Sequence, residues 1–160
     1  MSNPHTRPAT PADIPLILAL IRELADYERA PQEVIATEHL LQHALFSERP
    51  SCEAIIGEVD GSPQGFALFF HNFSTWKGRQ GLYLEDLFVR PSARGKGLGK
   101  ALFAHVARVA VERGCPRMEW AVLDWNTPAI DFYTSMGAVA MDEWTTYRLK
   151  DDALRRAARS

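Results

Sequence analysis

Glycines at three alternate positions, set between a strand-like run and a helix-like run, constrain this chain more than any other feature. The segment reads Arg94-Gly95-Lys96-Gly97-Leu98-Gly99. Before it lies Leu82-Tyr83-Leu84-Glu85-Asp86-Leu87-Phe88-Val89, rich in β-formers and closed by Pro91. After it, Leu98, Leu102, Val106, Val109 and Ala110 recur at helical spacing. A strand that turns through glycines into a helix aims several main-chain N–H groups at one point, where the helix dipole adds partial positive charge. Arg94, Lys96 and Lys100 add full charges. Such a turn suits a phosphate-bearing ligand. It is not a P-loop, because no Gly-x-x-x-x-Gly-Lys-Ser/Thr run exists. Nor is it a dinucleotide fingerprint, because Gly99 stands one position too early for Gly-x-Gly-x-x-Gly.

The rest of the chain sets the class. Its 160 residues suit one domain, and no linker, repeat or low-complexity segment divides 1–160. A net charge of −2 argues against a nucleic-acid partner. No apolar run is long enough to span a membrane, and Pro4, Pro8 and Pro11 would break a signal core. The expectation is a cytoplasmic protein without membrane attachment. Cys52 and Cys115 are too few for a disulfide framework, and the five histidines are scattered, so free thiols and no metal site are expected.

The pattern of elements predicts an α/β (α+β) fold, a mixed sheet flanked by helices. A short strand covers His5–Pro8. A helix capped by Thr10 or Asp13 runs to about Glu28 with Ile14, Ile17, Leu18, Ile21 and Leu24 as its apolar stripe. Thr37 opens a second helix. Cys52–Val59 and Gly65–His71 form a hairpin around Asp60-Gly61. A loop over Phe73–Gly81 leads into the strand Leu82–Val89 and the helix from about Gly97 to Arg113. Gly114 and Pro116 end that helix. Arg117–Leu123 reads as a strand, and Pro128 lies in the first turn of a short helix capped by Asn126 or Thr127. Ala138–Met141 and Thr145–Leu149 read as strands, and Asp151–Arg159 as a basic terminal helix or tail.

Arg94-Gly95-x-Gly97-x-Gly99 resembles the Arg/Gln-x-x-Gly-x-Gly/Ala signature of the GNAT acyl-CoA-dependent N-acetyltransferases. Other stretches are similar to the diamine branch, with its spermidine/spermine and thialysine N-acetyltransferases. They are Arg7-Pro8-Ala9-Thr10 with Asp13, Glu23-Leu24-Ala25-x-Tyr27-Glu28, Leu82-Tyr83-Leu84-Glu85-Asp86, and Trp125-Asn126-x-Pro128-x-Ile130-x-Phe132-Tyr133. The resemblance implies the GNAT fold, with a mostly antiparallel central sheet, and acetyl-CoA as cosubstrate. It also implies a homodimer.

Acetyl transfer from a thioester to an amine needs a neutral amine, a donor to the developing oxyanion, a proton for the leaving thiolate and a held near-attack geometry. Glu85 is a carboxylate inside an apolar strand, where partial burial is expected to raise its pKa and suit it as a base. Asp86 beside it should point to the opposite face unless a bulge intervenes. Tyr133 lies in the second helical turn from Pro128, and a phenol with a pKa near ~10 is a proton donor at neutral pH. The resemblance assigns Glu85 to amine binding or deprotonation and Tyr133 to general acid catalysis. It gives Leu87, Phe88 and Val89 the pantetheine arm. Arg94, Gly95, Lys96, Gly97, Leu98, Gly99 and Lys100 take the pyrophosphate, and Asn126 the cofactor amides. Tyr27, Glu28, Trp76 and Glu85 are the expected amine-side residues. Where the polyamine enzymes carry an acidic residue before the loop tryptophan, this chain has Ser74; near the C-terminus it has Thr145 and Tyr147 in place of a glutamate and a tryptophan. A diamine, a polyamine and a lysine-like amino acid therefore stand as candidate acceptors. Acetylation of a protein lysine or N-terminus, and acyl-CoA sensing without turnover, are the alternatives.

Overall fold

The computed structural model describes residues 3–160, in two compact units that divide after residue 121. The first unit holds a five-stranded sheet in the order β1-β2-β3-β4-β5. Its strands are β1 (Pro4–Pro8), β2 (Glu53–Val59), β3 (Ser62–Ser74), β4 (Arg79–Val89) and β5 (Met118–Glu119). Each neighbouring pair is antiparallel except β4 and β5, which are parallel, so the sheet is mixed. Three helices cover it: α1 (Ile14–Tyr27), α2 (Glu38–Phe46) and α3 (Leu98–Glu112).

Both faces of the sheet are buried, which explains the unbroken apolar runs in β2 and β3. On one face Ile17, Leu20 and Leu24 of α1, with Leu41 and Leu45 of α2, pack against Ile56, Phe66, Leu68 and Phe88. On the other lies α3, whose Leu98, Leu102 and Val106 are fully buried. Gly57 is glycine because α3 approaches closely: a Cβ there would stand 2.8 Å from Leu98 Cδ1.

Local chemistry sets the ends of the elements. The Thr37 hydroxyl accepts from the Leu40 N–H and opens α2. Asp60 and Gly61, at φ 51° and 79°, form the two-residue turn between β2 and β3. Arg7 grips Asp13 with two bonds, Nη1–Oδ2 at 2.8 Å and Nη2–Oδ1 at 2.9 Å, tying β1 to the turn before α1. That guanidinium is the main reason the Asp13 carboxyl lies below the usual carboxylate range.

The second unit contains α4 (Thr127–Ser135) and α5 (Asp151–Ala158). Several expectations need correction. The β3–β4 hairpin is longer than expected, because Phe73 and Ser74 pair with Gln80 and Arg79. The strand expected over Arg117–Leu123 contracts to Met118–Glu119. Ala138–Met141 and Thr145–Leu149 are not strands: apolar alternation is insufficient where no neighbouring chain supplies the ladder hydrogen bonds.

Candidate active site

The glycine turn joins the end of β4 to α3. Pro91–Ala93 forms one 3₁₀ turn, and α3 begins at Leu98 with Gly97 as its cap. Gly95 and Gly97 stand at φ 79° and 81°, a left-handed conformation that side chains with a Cβ resist. Among the described residues, no main-chain N–H from Gly97 to Lys100 is taken by a carbonyl; the bonds resume with Ala101 N–H to Gly97 O at 3.0 Å. A row of unengaged donors at a helix start, with Lys96 and Lys100 exposed beside it, is a fitting seat for a phosphate.

β4 leads into that turn along an open edge. Among the described residues, β5 pairs with it only at Leu82↔Met118 and Tyr83↔Glu119, and from Leu84 to Val89 that side of β4 has no strand partner. An extended ligand arm can add there as a strand would.

A bulge interrupts the same stretch. Phe69 pairs with Leu84 and Leu68 with Asp86, leaving Glu85 as the extra residue. Glu85 is exposed and Asp86 is partly buried. Burial, then the charges of Glu85 and Glu28, push the Asp86 carboxyl up to about 7. Loss of water, then Glu85, also raises Glu28, at the end of α1. Three carboxyl groups thus share one electrostatic neighbourhood, and among the described residues none of them forms an ion pair with Lys, Arg or His. Such a cluster attracts an ammonium group and favours proton sharing among its members.

Arg94 contacts the end of β4 and the end of α1. Its Nε–H donates to Val89 O at 3.0 Å, and its guanidinium carbon lies 4.9 Å from the centroid of the Tyr27 ring and 5.9 Å from that of Phe88. Trp76 is 88% exposed at the tip of the β3–β4 hairpin. Ser74 shapes that tip: its hydroxyl accepts from Lys77 N–H at 3.2 Å and its carbonyl from Gly78 N–H at 2.8 Å.

In the second unit, Asn126 caps α4 by accepting from Ala129 N–H at 3.4 Å. Tyr133 sits in the second turn of α4, its ring 5.4 Å from that of Phe132. Cys52 and Cys115 are free, and among the described residues no group of metal-capable side chains gathers. Among the described residues, no helix is long and apolar enough to cross a membrane.

Residues 17–138 match the model of the acetyltransferase (GNAT) family. The chain belongs to that family. It is 39% identical to thialysine N-epsilon-acetyltransferase of Bos taurus over 163 residues, covering 95% of each chain. It is 35% identical to L-ornithine N5-acetyltransferase of Arabidopsis thaliana, over 92% of this chain and 85% of that one. Among solved structures, an integron cassette protein from the mobile metagenome of V. cholerae superimposes with a TM-score of 0.81 at 30% identity, over 98% of both chains.

This GNAT protein is thus an N-acetyltransferase, and its sheet and helices are those the resemblance implied. One expectation about its site is overturned. Glu85 is not partly buried; it is the extra residue of the bulge and is exposed, while its neighbour Asp86 is partly buried. Sequence reasoning passed over Asp86 because a regular strand would send it to the other face. Only the inter-strand register reveals the bulge. The Arg94–Tyr27 contact was likewise missed, since residues 67 apart carry no local signal of pairing.

Proposed function

We propose that this enzyme transfers an acetyl group from acetyl-CoA to a primary amine of a small molecule, a diamine, polyamine or thialysine- or lysine-like amino acid. The observation that carries this reading is the unpaired carboxyl cluster Glu28, Glu85 and Asp86, on and beside the strand that ends at the phosphate-type turn. The names of the relatives, which act on thialysine and L-ornithine, support an amino-acid-like amine.

Acetyl-CoA supplies the activated acyl carbon. The free N–H groups from Gly97 to Lys100, with the side chains of Lys96 and Lys100, hold its pyrophosphate. The open edge of β4 at Leu87, Phe88 and Val89 pairs with its extended arm, and a main-chain N–H there polarises the thioester carbonyl. The acceptor arrives as an ammonium ion, drawn by Glu28, Glu85 and Asp86, with the faces of Tyr27 and Trp76 beside its methylenes. Glu85 takes the ammonium proton, directly or through water. A carboxyl near 7 next to it keeps the cluster able to accept and pass on a proton at neutral pH. Attack is direct, in a ternary complex, and Tyr133 donates to the departing thiolate. Asn126 orients the amides of the arm. The protein works as a homodimer in the cytoplasm.

Release of CoA thiol from acetyl-CoA, measured across putrescine, spermidine, spermine, lysine, thialysine, ornithine and an N-terminal peptide, tests this. One small amine should be turned over, with kcat lowered about 100-fold in Glu85→Gln. Turnover confined to the peptide, or acetyl-CoA binding without turnover on any amine, overturns it.

A further inference from the structure

Arg94 and Arg90 flank the short turn between β4 and the phosphate seat, and both reach back to α1. Arg90 forms a forked ion pair with Glu23, Nε–Oε1 at 3.0 Å and Nη2–Oε2 at 3.0 Å. Arg94 lies over the ring of Tyr27, one helical turn further along α1, while its Nε–H holds the carbonyl of Val89. Two residues four apart on the turn therefore grip two residues four apart on the helix. That helix ends at Tyr27, and Glu28 follows it directly.

We infer that Arg94 is a positioning residue for the amine, bracing Tyr27 and Glu28 against the end of β4, while the main-chain donors, Lys96 and Lys100 carry the phosphate. This rests on the small-amine reading above. Planarity and a fixed donor fork suit Arg to stack on a ring and bind a carbonyl at once; Lys keeps the charge and loses that geometry.

The test separates the two substrates' constants. In Arg94→Lys and Arg94→Gln, the amine KM should rise about fivefold or more, and acetyl-CoA affinity measured by calorimetry should stay within about twofold. In a Tyr27→Leu background the Arg94→Lys change should add no further amine effect. If Arg94 instead binds phosphate, Arg94→Gln weakens acetyl-CoA binding, Arg94→Lys restores it, and the amine KM does not move; that result overturns the inference and leaves the function standing. A wild-type enzyme that binds acetyl-CoA and acetylates no small amine overturns the function, and this inference with it.

Discussion

Replacing Asp86 with Asn should make the protein more stable, by an amount that grows as the pH rises from about 4 to 7 and is level above that. In the folded chain the Asp86 carboxyl rises from an ordinary 3.8 to about 7. The folded state therefore holds a proton that the unfolded state releases between about pH 4 and pH 7, so stability falls as pH rises through that window and levels off above it. A rise of about three pH units corresponds to roughly 4 kcal/mol at full effect, at about 1.36 kcal/mol per unit. Asp86 is not wholly dry, and Glu28 and Glu85 can relax away, so about half, ~2 kcal/mol, should be recoverable. The Asn amide keeps the shape, carries no charge and can donate to the neighbouring carboxylates. For a chain of this size that gain should raise Tm by about 4–8 °C at pH 8.5. At pH 4 to 4.5, where the wild-type carboxyl is already protonated, the two melting curves should nearly coincide. Thermal unfolding followed by circular dichroism across this range is the assay. A Tm gap independent of pH, or a less stable variant at pH 8.5, would refute the reasoning. The same variant should bind the amine more weakly, because one negative charge has left the cluster.

Other perturbations probe the remaining parts. Tyr133→Phe should lower kcat about 10²-fold while calorimetric acetyl-CoA affinity stays within about twofold, as expected for a lost proton donor. Gly97→Ala forces a Cβ into φ 81°, so it should cost about 1–2 kcal/mol in denaturant unfolding and weaken acetyl-CoA binding by misdirecting the N–H row. Arg7→Ala leaves the Asp13 carboxylate buried without its partner and should destabilise by about 2 kcal/mol at pH 7 in urea titrations. Because the Asp13 pKa is depressed, that support exists above the ordinary carboxylate range and fades on acidification, so the gap between wild type and Arg7→Ala should narrow toward pH 3.

What the sequence disclosed was local. Thr37 as a cap, Asp60-Gly61 as a turn, the apolar stripe of α1 and the glycine passage into α3 all depend on neighbours within a few residues, and each is where the pattern placed it. What it concealed depended on pairing between distant segments. The β3–β4 hairpin grew because Ser74 finds Arg79 across the ladder. The stretch around Met118 met β4 at two positions only. The bulge at Glu85 is a property of two strands in register, so no inspection of Glu85-Asp86 alone could tell which carboxylate faces water. The same holds for Arg94, whose motif is a local signal and whose resting contact with Tyr27 is not.

The open side of β4 carries a hazard as well as a use. An unsatisfied strand edge is a template for the edge of another molecule, and the Leu-rich stretch that runs to Val89 would be prone to such stacking. Glu85 and Asp86 sit within it as gatekeepers, their repulsion discouraging a second copy from zipping on. That guard weakens as the medium acidifies, since a carboxyl near 7 gives up its charge just below neutrality. The charges that favour an incoming ammonium thus also defend the colloidal behaviour of the protein. A variant that made this strand wholly apolar would lose solubility.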